Sequence, residues 1–181
     1  MPKIVAVDTD FEDNNLEEAM AREAGIEFEV THGRTAQAVI DGLLETGADA
    51  AVTSYAMFPR EVFEACSNLK VVSRTGVGYD EIDVEAATEH GVAVCNVPGY
   101  GTEVVSDPAI TLELSVLRRI NELDADMRRG VWDYARTRPL GQCRGRVFGV
   151  VGMGEIGRAA AKKAAGMGFE VVCWSRSLKP G

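Results

Sequence analysis

The sequence predicts an α/β fold: a parallel sheet covered by helices, then a long helix and a second strand–turn–helix–strand unit. Three observations point there. Strand-length apolar runs alternate with helix-period segments through roughly the first hundred residues, the order that builds a parallel sheet with both faces covered. Residues 102–120 then hold a helical pattern longer than any before it. Gly152, Gly154 and Gly157 stand at the spacing G-x-G-x-x-G, between an apolar run and a helical one.

In chain order, residues 3–7 (KIVAV) read as the opening strand. Asp8, Asp10, Glu12 and Asp13 follow; their spacing matches no calcium loop, and a solvated acidic loop is expected. Residues 16–24 read as a helix stopped by Gly25, and residues 26–30 alternate as a strand. A second helix covers 35–45, with Ala36, Val39, Ile40 and Leu43 on its apolar side, before a third strand at 48–53. Pro59 suits the first turn of a short helix through Ala65, and 69–73 form the fourth strand. Asp83 is a candidate N-cap for a helix through His90, with Gly91 just past its end, and 92–95 are the fifth strand. His90 then sits where a cation favours the helix dipole, and His32 reads as a surface residue.

Two loops that follow strands carry glycines: SRTGVGY at 73–79 and NVPGYG at 96–101. Open α/β sheets bind ligands at strand carboxyl ends. The first loop can form an anion-binding nest of backbone N–H groups, with Arg74 adding positive charge; the alternative is a plain glycine-rich connection.

The long helix carries Ile110, Leu114 and Leu117. Pro108 lies in its first turns and is expected to end or kink it, because proline lacks the N–H that the ladder uses. The helix continues or restarts after Ile120 and reaches Gly130. In the connection 131–145, Trp132 and Tyr134 are expected to bury against a partner chain or the lobe itself.

The glycine loop follows a β-branched run at 147–151 and opens a helix with Ile156, Ala160, Ala161 and Ala164 on one face; 169–174 form the next strand. Gly152 permits the tight turn, Gly154 leaves space for a pyrophosphate against the backbone, and Gly157 lets helix and strand lie close. Free N–H groups of the helix's first turn then face the phosphates. A dinucleotide site is the expected reading, against a merely structural turn.

Composition narrows the classes. A net charge of −9 disfavours nucleic acid as a partner. No apolar run is long enough for a membrane span and no leader stands at the start, so a cytoplasmic protein is expected. Arginine far outnumbers lysine and acids outnumber both, which suits a salt-rich cytoplasm or a high-GC genome. Cys66, Cys95, Cys143 and Cys173 form no C-x-x-C pair; Cys95 and Cys173 sit in apolar runs and are expected as small hydrophobes in a reducing compartment. No His/Cys cluster predicts a metal.

The stretch GVGYDEIDVEAATEHGVAVCNVPGYGTE, the long helix and GRVFGVVGMGEIGRAAAKKAAGMGFEVVCWSR together resemble the D-isomer-specific 2-hydroxyacid dehydrogenase family of phosphoglycerate, glyoxylate and hydroxypyruvate reductase-type enzymes. The resemblance implies a flavodoxin-like substrate or lid domain over 1–100. It implies the first part of a Rossmann NAD(P)-binding domain over 101–181, after the connecting helix. It implies that the backbone of Val77 and Gly78 holds a substrate carboxylate with Arg74 at its border, and that Thr102 and Val105 lie near the nicotinamide. Glu155 and Ile156 would put N–H groups on the pyrophosphate, and Ser175 would stand beside the adenosine ribose. It also implies a homodimer through the long helix and the segment 131–145.

The chain departs from the family in two ways. Pro108 follows Asp107 where relatives carry an aromatic, leucine or histidine. The family's catalytic arginine, glutamate and histidine fall beyond residue 181, so no catalytic residue is assigned, and His32 and His90 lie outside the matching region. Two closing strands with no further neighbours would leave exposed edges, so a truncated oxidoreductase is expected, acting on a small 2-hydroxy or 2-keto acid. The alternative is a non-catalytic dinucleotide-binding or assembly module. Cofactor choice turns on the end of the 169–174 strand. An NAD site places an acid there, whereas this chain has Ser175 and Arg176, which favours NADP over NAD.

Overall fold

The computed structural model describes residues 1–177, and the chain divides into two compact units, Met1–Pro98 and Gly99–Gly181. In the first unit the strands are β1 (Lys3–Ala6), β2 (Glu27–Val30), β3 (Ala50–Thr53), β4 (Val71–Arg74) and β5 (Ala93–Cys95). The intervening helices are α1 (Asn15–Glu23), α2 (Ala36–Thr46), α3 (Arg60–Ala65) and α4 (Val84–Glu89). All strand pairs are parallel, in the order β2-β1-β3-β4-β5, which is the flavodoxin-like order. Ile4 stands opposite both Phe28 and Ala50, so the order reverses between β1 and β3.

Local chemistry sets these boundaries. The Thr35 hydroxyl accepts the Ala38 N–H at 3.3 Å and starts α2; Gly47, at φ +64°, ends it. The Asp83 carboxylate accepts the Ala86 N–H at 2.8 Å and starts α4. The core lies where the apolar side of α2 and the α3 residues Val62 and Phe63 meet Val5 and Val72 of the sheet and Val7 just past β1, with Phe58 filling the space beside Phe63.

Asp8 departs from the expected solvated loop. It is buried, and its carboxylate accepts the Thr53 hydroxyl and the N–H groups of Ser54 and Tyr55, each at 2.8 Å. Three donors replace the water that an isolated carboxylate needs.

The second unit opens with α5 (Thr102–Leu117). Pro108 lies inside this helix and does not end it. The missing N–H leaves one carbonyl, that of Val104, without its ladder donor, and the surrounding bonds carry the helix on. The break comes instead at Arg119, whose φ of +52° turns the chain into α6 (Ile120–Arg128). Within α6, buried Asp126 accepts from Arg129 at 2.5 Å and pairs with Arg136 at 3.2 Å, tying a single 3-10 turn (Tyr134–Thr137) back to the helix. Trp132 and Tyr134 are exposed, so they do not bury against their own unit.

Strand β6 (Val147–Val151) pairs in parallel with β7 (Glu170–Trp174), and α7 (Glu155–Gly166) connects them, the start of a Rossmann-type unit. Ile110, Ala164 and Phe169 form the core here, and Phe148 meets Phe169 edge-on with centroids 5.5 Å apart. Cys95 and Cys173 are exposed rather than packed, because β5 is a sheet edge and β6–β7 is a two-stranded sheet; Cys66 is the buried thiol.

Candidate functional site

The loop from β6 to α7 uses its glycines in three different ways. Gly152 takes φ +101°, a conformation that side chains oppose, and its N–H donates to the Trp174 carbonyl at 2.7 Å, pinning the turn to β7. A Cβ on Gly157 would lie 1.9 Å from the Gly152 carbonyl oxygen, so helix and turn are in direct backbone contact. A Cβ on Gly154 would meet nothing within 4 Å. The first helical bond runs from the Arg158 N–H to the Gly154 carbonyl at 3.0 Å. Among the described residues the N–H groups of Glu155 and Ile156 have no protein acceptor. Open space before a helix start with free N–H donors fits a phosphate group.

The start of α5 lies beside this loop within the same unit. The Thr102 hydroxyl reaches Glu155 Oε2 at 3.4 Å, a long hydrogen bond, and the carboxylate covers the turn at Gly99. Val105 is half exposed on the next turn. At the end of β7, the Ser175 hydroxyl faces that of Ser177 at 3.3 Å; Arg176 is exposed and, among the described residues, pairs with no acid.

In the first unit, the strand carboxyl ends gather a second group of residues. The Val77 carbonyl accepts from Asn96 Nδ2 at 2.8 Å and the Gly76 carbonyl from the Val97 N–H at 2.9 Å, so the β5 loop holds the β4 loop in place. Among the described residues, the N–H groups of Val77 and Gly78 meet no acceptor. Arg74 folds back over Gly76, where a Cβ would collide with its guanidinium. Its Nε is buried without an acceptor among the described residues, and the guanidinium lies 5.6 Å from the Tyr55 ring centroid. Arg34 lies 5.0 Å from the same centroid and pairs with Asp10 at 2.9 Å and Asp8 at 3.5 Å. Asp10 beside the Tyr55 hydroxyl holds that phenol above its ordinary pKa.

Asp8, Arg34, Tyr55 and Asn96 were not singled out as site residues by the sequence. The available signal was position: each follows a strand, and Asp8 and Tyr55 flank the point where the strand order reverses. His90 Nδ1 lies 2.8 Å from the Ala86 carbonyl at the end of α4, and His32 is exposed; neither joins these groups. Among the described residues no cluster of His, Cys, Asp and Glu is arranged to hold a metal, and no helix is long and apolar enough to cross a membrane.

Residues 5–173 match the catalytic domain of the D-isomer specific 2-hydroxyacid dehydrogenases. The chain belongs to this family. Among its dehydrogenase relatives, the glyoxylate reductase of Thermococcus litoralis is 41% identical over 127 residues, 67% of this chain and 38% of that one. The D-3-phosphoglycerate dehydrogenase of Archaeoglobus fulgidus is 35% identical over 153 residues, 84% of this chain and 29% of the relative. The chain thus spans well under half the length of these curated dehydrogenases. The NAD-dependent formate dehydrogenase of Staphylococcus aureus, solved in complex with NAD, superposes with a TM-score of 0.79 at 25% identity, over 97% of this chain and 56% of that one.

Proposed function

We propose that this dehydrogenase-family chain forms the N-terminal part of an NAD(P)-dependent oxidoreductase that acts on a small 2-hydroxy or 2-keto acid. The observation that carries the reading is the glycine loop: Gly154 leaves open space in front of the Glu155 and Ile156 N–H groups, which have no acceptor among the described residues. In a chain of this family, that arrangement supports a pyrophosphate held on α7. The nicotinamide cofactor, when bound, donates or accepts the hydride. The first unit then serves as the substrate domain and the second as the start of the cofactor domain.

Each residue has a proposed task. The N–H groups of Val77 and Gly78 hold the substrate carboxylate, as an anion nest does, with Arg74 adding charge at its border. Thr102 and Val105 flank the nicotinamide. Ser175 and Arg176 meet the adenosine ribose. With no acid at Ser175 to repel a 2′-phosphate, and next to it a guanidinium that pairs with no acid among the described residues, NADP is favoured over NAD. No residue of this chain is assigned the acid–base step.

Exposed Val104, Leu112 and Val116 on α5, together with Trp132 and Tyr134, support a homodimer through the long helix and the segment 131–145. Assay of the full-length protein against glyoxylate, hydroxypyruvate and pyruvate, with both cofactors and with light scattering for mass, tests the reading. Turnover of at least one 2-keto acid by a dimer is expected. Dinucleotide binding without turnover would favour the non-catalytic module, and absence of both would end the proposal.

A further inference from the structure

The first two turns of α5 are weakly held from within. Gly101 gives the helix no side-chain cap, and Pro108 cannot donate to the Val104 carbonyl. Yet this segment presents Thr102 and Val105. What holds it lies on α7. The Lys163 ammonium donates to Ser106 Oγ at 2.6 Å and to Asp107 Oδ1 at 2.5 Å, and lies 2.7 Å from Glu103 Oε2. An ammonium has three N–H donors, and all three have an acceptor here.

The contacts reach further than the ion pairs. Ser106 is fully buried, and its own hydroxyl donates to the Thr102 carbonyl at 2.7 Å. A chain of donors therefore runs from Lys163 through Ser106 to Thr102. The Ser106 oxygen accepts from the ammonium, which leaves its proton for the Thr102 carbonyl. The Asp107 and Glu103 carboxylates raise the Lys163 ammonium above its ordinary pKa. The same α7 carries the glycine loop at its start, so one helix both opens the phosphate site and clasps the helix beside it.

We propose that Lys163 is a positioning residue for the nicotinamide end of the dinucleotide site, setting the place of Thr102 and Val105 through Ser106, Asp107 and Glu103. The inference rests on the reading that this chain binds a nicotinamide dinucleotide. Lys163 touches no ligand atom in this role; it holds the helix turn that does.

The test uses full-length wild type, Lys163→Met, Lys163→Arg and Ser106→Ala. Two readouts separate positioning from general support: amide exchange at 102–106 without ligand, and calorimetric affinity for the whole dinucleotide against ADP-ribose and its 2′-phosphate. ADP-ribose lacks the nicotinamide ring but keeps the pyrophosphate. In Lys163→Met, exchange at 102–106 should quicken by about tenfold or more while β6 amides stay protected. Affinity for the whole dinucleotide should fall about tenfold, with ADP-ribose binding within about twofold of wild type. Ser106→Ala should follow the same pattern more weakly, and Lys163→Arg should restore most of both. Unchanged exchange at 102–106, or equal losses for dinucleotide and ADP-ribose, would overturn the proposal. Wild type that binds no dinucleotide at all would overturn the functional reading and this inference with it, and the ligand-free exchange data would still show whether the clamp orders the helix.

Discussion

The carboxylate of Asp8, just past β1, holds the backbone N–H of Tyr55 at 2.8 Å, 47 residues further along the chain. The same group takes the Ser54 N–H and the Thr53 hydroxyl, so the loop after β3 is shaped by an acid that follows the neighbouring strand. Asp8→Ala removes the acceptor and strands two backbone donors. A loss of about 2 kcal/mol is expected from leaving buried donors unpaired. Urea unfolding measures it; a change below about 0.5 kcal/mol, the size of an ordinary surface substitution, would mean that water replaces the carboxylate.

The glycines of the β6–α7 loop should fail in different ways. Gly154→Val adds a side chain to open space, so the fold should survive while dinucleotide binding is lost. Gly157→Ala drives a methyl into the Gly152 carbonyl and should cost about 3 kcal/mol or more by overpacking. Thermal unfolding and calorimetry on both variants separate the outcomes. Equal stability with unchanged cofactor affinity in Gly154→Val would reduce the loop to a turn.

Cofactor choice is read at Arg176. The arginine is exposed and free of acid partners among the described residues, which leaves its guanidinium available to a 2′-phosphate. Full-length protein is expected to bind NADP more tightly than NAD, and Arg176→Ala should weaken NADP about tenfold with NAD nearly unchanged, the loss of one charge-assisted pair. Tighter NAD binding by the wild type refutes it.

Asp49 makes the first unit sensitive to acid. Its carboxyl lies below the usual aspartate range, chiefly because Lys70 donates to it at 2.6 Å, and next because the Lys3 N–H does at 3.0 Å. A depressed folded pKa means stability that is fully present above the unfolded value, about 3.9. It is lost as pH falls through the lower, folded value. Asp49→Asn should therefore show a flatter stability profile than wild type below about pH 4. Urea midpoints across that range provide the measurement, and parallel profiles would contradict it.

Three of the four thiols should label in two classes. Burial pushes the Cys66 thiol above its ordinary pKa and also blocks access, whereas Cys95 and Cys173 are exposed. A thiol reagent at neutral pH should modify the exposed pair in the 181-residue native chain and reach Cys66 after denaturant is added. Rapid native labelling of Cys66, located by peptide mapping, would show that α3 opens readily.

What could be read from the residues was mostly what is local. Gly152 and Gly157 answer to backbone conformation and close approach, which few other residues tolerate, so their spacing announced the turn. Asp83 and Gly91 marked the ends of α4 for the same kind of reason. Asp8 was misjudged because its burial depends on donors at residues 53–55, which no local pattern brings near. Pro108 does not end the helix, because one missing bond near the start of a 16-residue helix is tolerated when neighbouring turns are held from outside. Cys95 and Cys173 stand in apolar runs, but whether a strand is covered is a property of its neighbours. The Arg34–Tyr55–Arg74 group assembles from two loops and the end of β4 and left no spacing to find.

The strand order of the first unit carries a consequence for how the chain is made. Among the described residues, every ladder of this sheet joins strands that are in place by Cys95. The longest reach in the ladder is from Ile4 to Ala50. Domains assemble as units from the N-terminus at about 5–20 residues per second of translation. These five strands are therefore all synthesised before the ribosome reaches α7, and they have time to pair with one another while the glycine loop is still being synthesised.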